Sequence, residues 1–403
     1  MSTYESGVRA GGAGGLSRRA IAATGVGAVG CIVGAVLDPR RAAFSYLAAY
    51  ATVVAAVLGA LCMIMIAQVT AANWFVVLRR RAEQIASTLP VLAVLFVPVA
   101  VALPLVFPWV HGGTGIAARG DAHFQSLVAA KTAYLNVPFF IARAVVYWIA
   151  WIVLAELLRR ASLRNDRQPS AALVNRMRVV SAVGLPIFAL TLSFASFDWL
   201  MSLTPSWYST VFGVYYYASG MVAAMGLLAL VAWRARARED DRLGAVVEPD
   251  HIHAIAKLTI TFLLFWAYIG YAQLIVIWSG NVPVEVSWYV TRLAGAWRAL
   301  AIVLLFGGFA LPFLLLVVRS IKRSPRAMAA LGVWLLLMHY LDIYWMAMPE
   351  YGPGAAGFIW CDAAALVFIC GATVLCWQWR CAGEFAVVQT DPALAESVNY
   401  RTE

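Results

Sequence analysis

Apolar residues run in blocks of about twenty or more along nearly the whole chain, parted by short polar or basic stretches. A helix of that length crosses the hydrocarbon layer of a bilayer. The pattern predicts ten spans, at about 20–37, 43–78, 84–108, 137–158, 173–203, 208–233, 254–279, 285–319, 327–348 and 355–379. The second, fifth and eighth are longer than a bilayer needs, so tilt or extension beyond it is expected. The short alternating segments of a β-barrel are absent. The fold class is therefore an all-α polytopic membrane protein.

Basic residues cluster on one side of this plan: "SRRA" (17–20), "LRRR" (78–81), "LLRRASLRNDRQ" (157–168), "WRARARED" (233–240) and "RSIKRSPR" (319–326). The loops "SLTPSWYS" (202–209), "SGNVPVE" (279–285) and "MPEYGPG" (348–354) hold none. The excess of Lys and Arg on the cytoplasmic side then puts both termini in the cytoplasm. The first span has the outline of an export signal, but no small-x-small cleavage site ends it, so a retained signal-anchor helix is expected. Its glycines suit close packing against a neighbour.

Two landmarks repeat. Asn136-Val137-Pro138 opens the fourth span, and Asn281-Val282-Pro283, 145 positions later, opens the eighth. Asp198 stands seven residues before Pro205, and Asp342, 144 positions later, stands seven before Pro349. The shared offset implies a parallel duplication, with spans two to five and six to nine as similar four-helix bundles. The expected division is 1–42 for the N-terminus and first helix, 43–205 and 206–350 for the bundles, and 351–403 for the last helix and tail. Each bundle carries one aspartate roughly 10 Å inside its outer end, at 1.5 Å per residue. A charge at such depth costs roughly 2.5–3.5 kcal/mol and normally faces the bundle interior, often in a proton path.

Asp198, Asp342 and His339 are therefore the candidate proton-transfer residues. Thr191, Ala195, Asp198 and Ser202 fall on one helix face, which suits either a file of waters or a packing seam. His339 and Asp342 are three apart, so they form either a proton donor–acceptor pair or a structural hydrogen bond. Glu285, Tyr289 and Arg292 share a face; an acid just after Pro283 also suits a helix N-terminus. Arg143 and Arg298 are candidate counter-charges for the aspartates, or else snorkel. Gln68, Asn73 and Gln273 read as interhelical amides. "VYYYASG" (214–220) reads as an interfacial aromatic anchor, and "HIH" (251–253) as a solvated helix start.

Composition agrees: 63% of residues are hydrophobic and 12% charged, against about 25% charged in soluble domains. The net charge of +10 lies in topology clusters and indicates no nucleic-acid partner. Cys31, Cys62, Cys361, Cys370, Cys376 and Cys381 form no C-x-x-C pair, which argues against an iron–sulfur or haem-attachment motif. Of five histidines only His339 is well inside a span, too few for a membrane cytochrome b or a haem–copper oxidase. No P-loop, nucleophile elbow or zinc motif occurs. No cofactor is expected in this chain, and no metal.

Three stretches, "SFASFDWLMSLTPSWYSTVFGVYYYASG" (193–220), "YAQLIVIWSGNVPVEVSWYV" (271–290) and "HYLDIYWMAMPE" (339–350), resemble the ActF family. These are NrfD-like integral membrane subunits of bacterial alternative complex III, a quinol:electron-acceptor oxidoreductase. The likeness is concentrated in residues 190–350. It implies ten spans in two four-helix bundles, the bacterial inner membrane, an ActC-like membrane partner that holds quinol, a periplasmic iron–sulfur subunit and haem c cytochromes. A quinone, menaquinone included, is the cofactor such an assembly uses. Matched motif by motif, the implied proton path takes in Asp198 and Asp342, with His339 alongside. The chain has Val284 where a second acid is common in the family. Two further readings stand beside this one. The first is a proton- or ion-coupled transporter, with Pro98, Pro104 and Pro108 breaking the third span and Pro312 the eighth. The second is a structural anchor whose buried acids set helix register. Quinol oxidation by the chain itself would use His339 or Asp342 as base.

Overall fold

A backbone inside a bilayer satisfies its own hydrogen bonds only as helix or closed barrel, and this chain is built of helices. The computed structural model describes residues 16–110, 122–237, 242–352, 357 and 359–402, with no strand among them. Ten helices are long and apolar enough to cross a membrane: Arg18–Leu37, Pro39–Val69, Asn73–Val101, Val137–Arg167, Ala171–Leu203, Phe212–Arg236, Pro249–Gly280, Gly295–Val317, Pro325–Tyr351 and Trp360–Arg380. They are numbered below as spans one to ten. The last part of the basic run 233–240 and the opening of the predicted tenth span, Gly357 excepted, lie outside the described residues.

Spans two to five pack in sequence, and the fifth closes back on the second. Spans six to nine form a second ring in the same way, and the rings meet along spans two and six. Those two are the most deeply buried spans. Glycine lets them approach. A Cβ on Gly59 would stand 2.6 Å from the Gly220 carbonyl oxygen, and one on Gly332 in the ninth span 2.4 Å from that of Gly226 in the sixth. Small residues at such crossings are what holds helices together where lipid offers no hydrophobic drive. Spans one and ten lie outside the rings and pack on each other, with Gly27 against the Phe368 backbone and Gly30 against Ala364.

Three boundaries differ from the hydropathy reading. The second span ends at Val69, not 78: Thr70 bonds back to Ile66, and Ala71 turns the chain with φ 49°. The run stays apolar across this turn, so hydropathy does not register it. "LRRR" therefore lies inside the third span, buried, because Arg79 pairs with Asp391 at 2.6 Å and Arg80 with Glu83 and Asp166. The third span is a string of short helices, Val76–Ala86, Leu89–Val94, Val97–Val101 and Leu103–Val106, the last three with proline at their second position. The predicted eighth span is two helices, Pro283–Arg292 and Gly295–Val317, parted at Gly295 with φ 52°. The latter continues through Pro312, because Leu304–Ala310 widens into a π-turn. That turn removes the clash of the proline ring with a carbonyl four residues back.

The segment 383–402 crosses the basic end of both rings. Glu384 pairs with Arg159, and Asp391 with Arg79. Ser397 Oγ accepts from the Val77 amide at 3.2 Å, and its carbonyl meets His251 Nε2 at 2.8 Å. Thr402 bonds Asp250, and its hydroxyl lies 3.0 Å from His253 Nδ1. "HIH" is thus buried, not solvated: a folded-back tail supplies the partners.

Candidate functional site

Asp198 and Asp342 sit at matched places, near the far ends of spans five and nine, and both are essentially unexposed. Their surroundings differ in kind. Arg143 of the fourth span grips Asp198 with two bonds, Nε to Oδ2 at 2.9 Å and Nη2 to Oδ1 at 2.8 Å. The Tyr147 hydroxyl adds a third, to Oδ2 at 2.8 Å. The guanidinium also donates to the Tyr134 carbonyl and lies 3.8 Å from the Tyr134 ring and 4.3 Å from the Phe139 ring. A bidentate pair of this sort is strong, and each charge compensates the burial of the other.

The polar stripe that leads to it is sealed by tryptophan. Trp151 Nε1 donates to Thr191 Oγ1 at 2.9 Å, and Trp109 Nε1 to Ser202 Oγ at 3.2 Å. Ser202 Oγ in turn donates to the Asp198 carbonyl at 2.6 Å. Of the two readings of this face, the bonding is that of a packing seam.

Asp342 has no basic side chain bonded to it among the described residues. Its carboxylate accepts from the Tyr215 hydroxyl at 2.6 Å, Ser219 Oγ at 2.8 Å and Trp266 Nε1 at 3.1 Å. Ser219 Oγ is also 2.7 Å from His339 Nδ1, and His339 Nε2 is 3.2 Å from the Thr52 carbonyl. His339 and Asp342 therefore do not bond directly; a serine hydroxyl stands between them.

That hydroxyl has one proton and two claimants. The Thr52 carbonyl only accepts, so Nε2 carries a proton. If Ser219 donates to an ionised Asp342, its oxygen must accept from Nδ1–H, and His339 is an imidazolium. If Ser219 donates to Nδ1, Asp342 must hold the proton and give it to the serine. The two states contain the same atoms and differ by a proton shift through Ser219. Sites with such paired states are the material of proton relays. Beside them lies a cavity of about 20 Å³, lined by Ser219, Trp266, Gly308, His339 and Asp342 among others, room for about one water. Gly308 belongs to the π-turn of the eighth span. Seven residues from Trp266 on the same face of the seventh span, Gln273 bonds the hydroxyls of Tyr289 at 3.0 Å and Ser209 at 2.9 Å.

Of the other predicted residues, Arg298 is exposed and donates to the Leu293 carbonyl, so it is no counter-charge for Asp342. It stands too near the helix start to reach inward. Arg292 bonds the Met346 carbonyl at 2.6 Å and Glu350 at 3.1 Å, and stacks on Trp288. Glu285 stays in the first turn of its helix. Gln273 is an interhelical amide as expected. Asn73 instead donates to Glu396 of the tail at 2.8 Å.

Sequence reasoning missed Tyr215, Ser219, Trp266 and Thr52. "VYYYASG" is not interfacial here: Tyr215 and Tyr216 are buried, the latter donating to the Ala51 carbonyl at 2.7 Å. The available signal was Tyr215 and Ser219 four apart on one face. A third buried acid was also missed. Asp362 of the tenth span bonds Arg41 at 2.8 Å and Ser45 at 2.6 Å. Arg41 starts the second span at the end opposite the basic clusters, where its charge is neutralised.

No protein-family model matches the chain, and no curated protein matches it. What fold and geometry define is a class: a multi-pass, all-α membrane protein of two four-helix rings. In each ring one acid is buried near the end away from the basic clusters, the first locked to an arginine and the second linked by serine to a histidine.

Proposed function

We propose that the chain is an integral membrane subunit of a quinol-oxidising respiratory complex of the alternative complex III type, and that its second ring moves protons through Asp342, Ser219 and His339. The observation that carries this is the Ser219 hydroxyl, within 2.8 Å of a buried carboxylate and 2.7 Å of a buried imidazole. The motifs that resemble the ActF family coincide with it: "VYYYASG" supplies Tyr215 and Ser219, and "HYLD" supplies His339 and Asp342. Both termini in the cytoplasm would put Asp342 toward the periplasmic side, where quinol oxidation releases protons. Electrons would pass through haem c and iron–sulfur partners, and an ActC-like subunit would hold the quinol. A cavity of about 20 Å³ beside Asp342 suits a water and is too small for a quinone ring, which favours proton transfer over quinol oxidation as the task of this chain.

The test is a tagged purification in mild detergent, with subunit identification and a visible spectrum. Haem bands, an iron–sulfur protein and a second NrfD-like subunit are the expected result. In that assembly Asp342→Asn should lower proton-coupled quinol turnover about 100-fold or more, the usual scale for losing an acid–base group. A colourless chain that runs alone would overturn the respiratory reading. It would favour a proton-coupled transporter instead, a reading supported by the π-turn of the eighth span against the same cavity.

A further inference from the structure

At the basic end, where the second span stops and the fifth runs past the start of the third, lies a cleft of about 40 Å³. Gln68, Asn73, Arg79, Val174, Arg178 and Asp391 are among its walls. Three of its polar groups are engaged: Arg79 with Asp391 at 2.6 Å, and Asn73 with Glu396 at 2.8 Å. Two are not. Gln68 is more than nine-tenths buried as a residue, but its amide opens onto the cleft and bonds no group among the described residues. Arg178 lines the same cleft from its exposed side and pairs with no acid among the described residues.

An amide that opens onto a cleft without a protein partner is free to bond a group bound there. A free guanidinium beside it offers a planar fork of donors that fits phosphate. With Asp391 neutralised by Arg79, the surplus charge of the lining is positive. Val69 and Val179, the chain neighbours of Gln68 and Arg178, expose 47% and 53% of their surface, an apolar flank at the level where a span meets the headgroup layer. Water would serve Gln68 alone, and a free anion would leave that flank bare. We propose that the cleft is a binding site for an anionic phospholipid. Arg178 pairs with the phosphate, the Gln68 amide donates to a phosphate oxygen, and the acyl chains lie along Val69 and Val179. The assignment does not depend on the respiratory reading.

The test is retention of lipid by the purified full chain, washed in detergent after exposure to phosphatidylglycerol or phosphatidylcholine and weighed by native mass spectrometry. Wild type should retain phosphatidylglycerol preferentially. Arg178→Gln should cut that retention about five-fold, the effect of one interfacial cation, and Arg178→Lys should restore part of it. Gln68→Leu should lower retention without changing the elution position of the protein. Arg176→Gln, also exposed on that helix but not lining the cleft, is the control. Equal retention by the Arg178→Gln and Arg176→Gln proteins would overturn the proposal. Equal retention of phosphatidylcholine would overturn the anionic assignment, and displacement by millimolar inorganic phosphate would overturn the lipid in favour of a free anion.

Discussion

At the residue scale, two aspartates that share a depth have been given opposite surroundings by their partners. Removing Arg143 leaves the Asp198 charge buried and unpaired, so Arg143→Gln should cost about 3–5 kcal/mol and lower the melting temperature in detergent. The paired change Arg143→Met with Asp198→Leu should recover most of it, because a buried ion pair is stabilising only relative to its broken halves. Asp342→Asn should leave the melting temperature near wild type, since an amide oxygen in place of Oδ2 keeps the Ser219 and Trp266 bonds and the NH2 group can donate to the Tyr215 hydroxyl. Ser219→Ala should mimic Asp342→Asn in proton-coupled turnover, while Ser219→Thr, which keeps a hydroxyl, should be milder. A melting loss for Asp342→Asn as large as that for Arg143→Gln would erase the distinction. The depth and the pairing of the two acids were legible in the sequence. Their chemistry was not, because it is set by residues distant along the chain: Arg143 lies 55 positions from Asp198, and Tyr215 lies 127 from Asp342.

At the element scale, hydropathy counts helices well and divides them poorly. The number ten, the ring pairing and the proline breaks of the third span follow from composition and spacing. The turn at 70–72 and the split at Gly295 do not, because both depend on single residues with positive φ inside apolar sequence. Close crossings are likewise invisible until two helices are set side by side. Gly332→Val should force spans six and nine apart and cost about 1–3 kcal/mol, as overpacking does. The expected reading is a lower melting temperature, with the double change Gly226→Val and Gly332→Val no better than the single one. A neutral Gly332→Val would mean that the crossing is looser than 2.4 Å implies.

At the scale of the whole molecule, the basic clusters gather at one end of both rings, and the segment 383–402 lies over them. Reporter fusions should place both ends of the chain in the cytoplasm. Arg40 and Arg41 are among the exceptions to the charge asymmetry, with Lys131, Arg143, Arg292 and Arg298; Arg40 lies over the Phe44 and Tyr351 rings, and Arg41 bonds Asp362. Truncation after Gly383 should expose Arg79, His251 and Asp250, and increase proteolysis at the loops between spans on that side. The same segment has a consequence in time. It is synthesised after all ten spans, and its partners come from both rings: Asn73 and Arg79 of one, Asp250, His251 and His253 of the other. It can dock only once those helices are inserted and correctly abutted. The tail thus reads out completed assembly, and a chain with a misplaced helix would carry it loose, marked for quality-control proteases.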